Sequence, residues 1–246
     1  MNDNPVALRN VSRSFGDLVV LKDMSLEIRR GEFVALVGPS GCGKTTLLHM
    51  LSGHLEPTSG SVERDGVMRT VYQHDGLFPW LTVAGNIDMG LRSIADPARR
   101  QRERASLIQL IRLEGFEDHY PHQLSGGMKQ RVELARAMSG NSDILLMDEP
   151  FSALDYQTRL RMRRELVRLL AEHPRTVLFV THDIEEAAQL ADRVLVLSER
   201  PATIRREIRL ETPRPRELSN PEVLRTIEIV TEELGLYNEE PAPVAH

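Results

Sequence analysis

Apolar residues come in short runs along this chain. Phe33–Val37 (FVALV), Ile144–Met147 (ILLM), Thr176–Val180 (TVLFV) and Arg193–Leu197 (RVLVL) are flanked by polar residues or glycine, and the longest runs hold about five residues. That length predicts buried strands rather than helices. Tyr156–His173 and Asp183–Leu190 instead carry their apolar residues at helical spacing. Strands that alternate with helices predict a parallel sheet with crossover helices. Earlier in the chain, Val6–Val11 and Val19–Ile28 read as strands. Ser61–Arg64 and Arg69–Gln73 flank Asp65–Gly66, which predicts a hairpin. From about Thr82 to Gly140 the pattern becomes helical through TVAGNIDMGLRSI, DPARRQRERASLIQLIRL and GGMKQRVELARAM, with Asp96 before Pro97 as a helix start. The expectation is one α/β domain over residues 5–236, a helical subdomain inserted at about 82–140, and a loose tail at 237–246 that lacks apolar periodicity.

Composition narrows the classes. The 246 residues are 41% hydrophobic and 27% charged, which is ordinary for a globular protein. The apolar runs are far too short to span a bilayer, and MNDNPVALRN lacks the basic and apolar regions of an export signal. Net charge is −5, so no basic excess points to a nucleic-acid partner. The single cysteine, Cys42, excludes an internal disulfide and fits a reducing compartment. Arginines at Arg99–Arg104 and Arg159–Arg164 alternate with other residues at helical spacing and read as solvated helix faces.

The chemistry begins at GPSGCGKTT, residues 38–46, between a predicted strand and a predicted helix. Gly38, Gly41 and Gly43 permit a loop whose backbone N–H groups turn inward to phosphate oxygens. The following helix N-terminus favours an anion. In this setting Lys44 can reach β and γ phosphates, and the Thr45 hydroxyl can bind Mg²⁺.

A second element is ILLMDEP, residues 144–150. Asp148 and Glu149 emerge at the C-terminal end of a buried strand, where open α/β sheets bind ligands. Asp148 suits a metal, and Glu149 can accept a proton from an attacking water. A third is Leu124-Ser125-Gly126-Gly127, with Ser125 placed as a helix cap and a second anion site at the helix start.

Together these motifs resemble the ATP-binding subunit of an ABC transporter, over about residues 5–210. Gly38, Pro39, Ser40, Gly41, Cys42, Gly43, Lys44, Thr45 and Thr46 are similar to its Walker A loop. Gln73 matches the Q-loop, LSGGMKQR the signature, ILLMDEP the Walker B strand, Ser152–Asp155 the D-loop, and His182 the switch histidine. Phe15 stands where the family places an aromatic ring against adenine. The resemblance implies the ABC ATPase fold, a P-loop fold with a mainly parallel core sheet and an N-terminal antiparallel part. It implies ATP and Mg²⁺ as cofactors and a head-to-tail dimer of two copies. Leu124, Ser125, Gly126 and Gly127 of one copy would meet the nucleotide of the other. Thr45, Gln73 and Asp148 would support the metal. Glu149, His182 and Gln73 would act in hydrolysis, and Asp155 would link the two sites.

The kind of ABC protein also follows from the resemblance. Lys44 and Asp148 are only 104 positions apart, unlike the chromosome-maintenance type. One ATPase unit and no membrane span leave a separate subunit bound to a membrane permease. Leu77, Phe78, Pro79 and Trp80 then read as its contact. The wording LFPWLTV, DEPFSALD and RPATIRREIRLETPRPR resembles the branch importing nitrate, sulfonates and taurine with a solute-binding protein. Between Gly60 and Gln73 the chain is shorter than that branch's pattern, which bears on the solute and not on ATP chemistry. The implied location is peripheral, at the cytoplasmic face of a bacterial inner membrane. An exporter or lipid-handling ATPase, a small-molecule phosphotransferase and a soluble regulator remain as alternatives.

Overall fold

A computed structural model describes residues 3–72, 76–140 and 142–236. Two sheets organise it. β1 (Val6–Phe15), β2 (Leu18–Ile28) and β4 (Ser59–Arg64) form an antiparallel sheet in the order β2-β1-β4. The larger sheet has the order β5-β6-β7-β3-β8-β9. Its strands β5 (Met68–Val71), β6 (Ile144–Asp148), β7 (Thr176–Val180), β3 (Phe33–Val37) and β8 (Arg193–Leu197) run parallel, and β9 (Ile204–Arg209) closes the edge antiparallel.

The continuous apolar runs have a simple cause. Each central strand is buried on both faces. Phe33, Ala35 and Val37 of β3 join a core shared with the helices on one side. Val34 and Leu36 join a second core beneath the antiparallel sheet and α1 (Lys44–Leu51). Strands β6, β7 and β8 alternate in the same way.

The helical block is formed by α2 (Val83–Gly90), α3 (Pro97–Leu110) and α4 (Gly126–Met138). Its expected starts hold. The Ala98 N–H donates to Asp96 at 3.0 Å, and the Met128 N–H donates to the Ser125 hydroxyl at 3.3 Å. α5 (Tyr156–Glu172) and α6 (Ile184–Leu190) connect the core strands, and α7 (Pro221–Glu233) packs on α6 after β9. Neither β9 nor α7 was expected from the periodicity.

The hairpin through Asp65–Gly66 does not form. β4 pairs with β1 of the small sheet, whereas β5 pairs with β6 of the large one. The Asp65 N–H donates to Pro5 O, and the Val67 N–H donates to the Asp143 carboxylate. Each side of the turn is thus claimed by a different sheet. The reading of Arg159–Arg164 as wholly solvated also fails at Arg163. It lies on the buried face of α5 with Met162, Leu166 and Val167. Its guanidinium is compensated there by Glu186 at 2.6 Å and Asp183 at 2.8 Å. Arg99 and Arg102 are exposed as expected.

Candidate nucleotide site

The loop between β3 and α1 takes its shape from glycine. Gly43 has φ 126°, and a Cβ there would lie 2.9 Å from both Val20 and Leu21 of β2. Only glycine meets the angle and the crowding together. Lys44, nearly buried, folds back across the loop and donates to Gly38 O at 2.7 Å and Pro39 O at 2.9 Å. The ammonium is thereby held over the loop.

At the end of β6 the Thr45 hydroxyl donates to Asp148 Oδ2 at 2.8 Å. Burial pushes the Asp148 carboxyl above the ordinary carboxylate range, and the Thr45 hydrogen bond opposes that shift. Among the described residues no group of three or more His, Cys, Asp or Glu side chains could hold a metal. One carboxylate beside one hydroxyl is instead what Mg²⁺ uses, since it keeps waters and phosphate oxygens as its other ligands.

Glu149 follows in a left-handed backbone conformation, φ 47°. Such strain persists only where neighbours hold it. Here the Glu149 N–H donates to Val180 O at 2.9 Å. Its carbonyl accepts from Gln130 Nε2 at 3.1 Å and from the Ser152 hydroxyl at 2.9 Å. The side chain is thereby aimed at His182, with Nδ1 to Oε2 at 3.1 Å. The loop carrying His182 is fixed beneath by the Arg163, Asp183 and Glu186 cluster, and the Thr181 hydroxyl donates to Glu186 at 2.8 Å.

Phe15, Gly38, Ser40, Gly41, Gly43, Lys44, Thr45, Thr46, Asp148, Glu149 and His182 line one open cavity of about 710 Å³. Residues more than a hundred positions apart in sequence are brought together at the C-terminal ends of β3 and β6. Leu18, Val20 and Arg200 also line it and had carried no sequence signal for this role. Phe15 is half exposed, and the Arg13 guanidinium sits 4.5 Å from its ring centroid. Pro39 and Cys42 do not line the cavity. Cys42 is buried in the loop, where burial raises its thiol. Gln73 lies outside the described residues.

Other expected residues lie elsewhere. Leu124, Ser125, Gly126 and Gly127 do not line the cavity; Ser125 and Gly126 are exposed at the start of α4, and nothing lies within 4 Å of a Cβ placed on Gly126. Asp155 caps α5, accepting from the Thr158 N–H at 3.0 Å. Leu77 packs against the core, while Trp80 is 69% exposed and stacks obliquely on Phe78 with centroids 5.5 Å apart. Buried Asn86 shapes this loop: its Nδ2 donates to the carbonyls of Phe78, Leu81 and Thr82, and its Oδ1 accepts from the Phe78 N–H. Buried Glu133 of α4 accepts from the Tyr72 N–H at 2.8 Å and also crowds Gly76. Asn86, Gln130 and Glu133 were all missed by sequence reasoning.

Comparison with known proteins fits this geometry. The sequence profile described as "ABC transporter" matches residues 21–152. An aliphatic sulfonates import ATP-binding protein of Rhodococcus jostii is 46% identical over 216 residues, covering 85% of this chain and 84% of that protein. A nitrate import ATP-binding protein of a Synechocystis strain is 44% identical over 207 residues, covering 80% of this chain and 78% of that protein. Among solved structures, a dimeric post-hydrolysis state of an ATP-binding cassette bound to ADP and Pi superposes with TM-score 0.75 at 32% identity, covering 85% of this chain and 100% of that one.

Proposed function

Because the chain belongs to the ABC transporter family as an ATP-hydrolysing subunit, we propose that it drives import of a small oxyanion through a separate membrane permease. The solute would be a sulfonate such as taurine, or nitrate. The observation that carries the reading is the single cavity that gathers the 38–46 loop, Asp148, Glu149 and His182, taken with relatives named for sulfonate and nitrate import.

Each residue has a task in phosphoryl transfer, where positioning and charge stabilisation are the main needs. Lys44 binds the β and γ phosphates, and Phe15 stacks on adenine. Bound Mg²⁺ neutralises phosphate charge, and Thr45, Asp148 and Gln73 would hold it. Glu149 accepts the proton of the attacking water, and His182 keeps that carboxylate and the γ-phosphate in register. Ser125, Gly126 and Gly127 lie outside the cavity on a helix N-terminus, which favours an anion. They serve the nucleotide of a second copy, and Asp155 relays between the two sites. ATP closes the dimer; loss of the γ-phosphate opens it.

The edge formed by half-buried Phe78 and exposed Trp80 receives the permease. The subunit therefore works peripherally, at the cytoplasmic face of a bacterial inner membrane, and a solute-binding protein supplies the permease from the other side. No helix of the described residues is long and apolar enough to cross a membrane itself.

The test is co-purification with the native membrane permease, followed by ATPase assays in vesicles with its solute-binding protein. Sulfonate- or nitrate-stimulated release of inorganic phosphate supports the reading. Stimulation by neither solute overturns the solute class, and phosphate found on a small-molecule product overturns the transport reading.

A further inference from the structure

The turn between β8 and β9 presents a cation to the nucleotide cavity. Arg200 lines that cavity with the 38–46 loop. Its Nη2 lies 3.2 Å from the point a Cβ on Gly41 would occupy. The turn is fastened on both sides. Ala202, fully buried, donates its N–H to Val20 O at 2.8 Å and accepts from the Lys22 N–H at 3.1 Å. The Ser198 hydroxyl accepts from the Thr203 N–H at 3.0 Å, and the Ser198 N–H donates to Thr203 O at 3.0 Å. β2, to which the turn is tied, also supplies Leu18 and Val20 to the cavity wall.

The charge itself is left available. Among the described residues Arg200 has neither an ion pair nor a hydrogen bond, although arginines elsewhere in the chain pair freely with acids. The two carboxylates of the cavity are already engaged, Asp148 with Thr45 and Glu149 with His182. Arg200 and Lys44 both act electrostatically on the buried Cys42 thiol, so the two cations share the field of one loop. A guanidinium is weakly hydrated and presents a planar fork of donors that fits phosphate oxygens. A fixed turn lowers the ordering cost of placing it there.

We propose that Arg200 is a second cationic ligand, in addition to Lys44, for the phosphate chain of the bound nucleotide, supplied by the same chain. This rests on the cavity being the nucleotide site, and the experiment separates the two claims. Mg-ATP and Mg-ADP are titrated calorimetrically into the purified full chain as wild type, Lys44→Ala, Arg200→Gln and Arg200→Lys. Wild-type binding that Lys44→Ala abolishes supports the site; equal binding by those two overturns both claims. Arg200→Gln is expected to weaken both nucleotides about tenfold, the scale of one lost charge-assisted hydrogen bond. Its affinity should also respond less to added salt. Arg200→Lys should recover part of the loss, and the melting temperature without nucleotide should not move. Wild-type affinity in Arg200→Gln overturns the assignment, including the case where hydrolysis alone is lost, which would place Arg200 against the partner copy. An affinity loss matched by a lower nucleotide-free melting temperature overturns it too, because the turn would then be the seat of the effect.

Discussion

Glu149 and His182 are in contact, carboxylate to imidazole, at 3.1 Å, from the ends of two adjacent strands. The Glu149 backbone is held by Val180, two residues before His182, and by Gln130 and Ser152. Glu149→Gln retains the shape and removes the carboxylate proposed as the base. Hydrolysis should fall by roughly 10²-fold or more, as for loss of a general base, while Mg-ATP binding persists. Single-turnover assays and gel filtration with ATP check this, the second by accumulation of a closed dimer. Turnover at the wild-type rate would remove Glu149 from the mechanism.

Ser125 and Gly126 stand exposed at the α4 start. Ser125→Arg should abolish hydrolysis and leave nucleotide binding by the single chain intact. Mixing it with Lys44→Ala chains should rebuild at most one complete site per mixed dimer, visible as partial activity that neither variant shows alone. Normal hydrolysis by Ser125→Arg would contradict a site shared between copies.

Trp80 is the only tryptophan and projects into solvent. Its fluorescence should therefore report permease binding directly. Phe78→Ala or Trp80→Ala should weaken that binding by about 2 kcal/mol, the scale of an aromatic anchor. ATPase activity and melting temperature of the free subunit should stay close to wild type. A joint fall in both would return these side chains to a packing role.

Arg163 and Glu186 form a buried pair, 5% and 3% exposed. Arg163→Ala should cost about 3–5 kcal/mol, because it strands a buried carboxylate. The pair also sets a pH dependence. Burial raises the Glu186 carboxyl above its ordinary value of 4.5, and Arg163 only partly opposes this. The folded chain then keeps a proton that the unfolded chain has released, so this group's contribution to stability declines as pH rises above about 4.5. The melting temperature of Glu186→Gln minus that of wild type should accordingly increase with pH across that window. A flat or falling difference would contradict the shift.

The local chemistry was open to reading because it is written in contiguous residues. The loop at 38–46, the strand ending in Asp148-Glu149 and the Ser125 cap each need only neighbours in sequence to be recognised. What failed depended on distant partners. Asp65–Gly66 has the local form of a hairpin turn, yet Pro5 and Asp143 draw its two sides into separate sheets. Arg163 looks like any helix-face arginine until α6 supplies Asp183 and Glu186. Asn86, Gln130 and Glu133 are ordinary polar letters on helices; their burial and their carbonyl and N–H partners exist only in the folded chain. Arg200 gained its place from a turn tied to β2, a contact spanning most of the sequence.

Under the proposed shared site, the separation of Ser125–Gly127 from the cavity that holds Lys44 has a kinetic meaning. A catalytic unit divided between identical chains makes turnover second order in subunit when the chains are dilute. Specific activity in solution should then rise with protein concentration until dimers saturate. A permease that holds two copies side by side replaces that bulk concentration with a local one. Attachment to the membrane would by itself convert an idle pool into a working pair, and free subunits would consume little ATP.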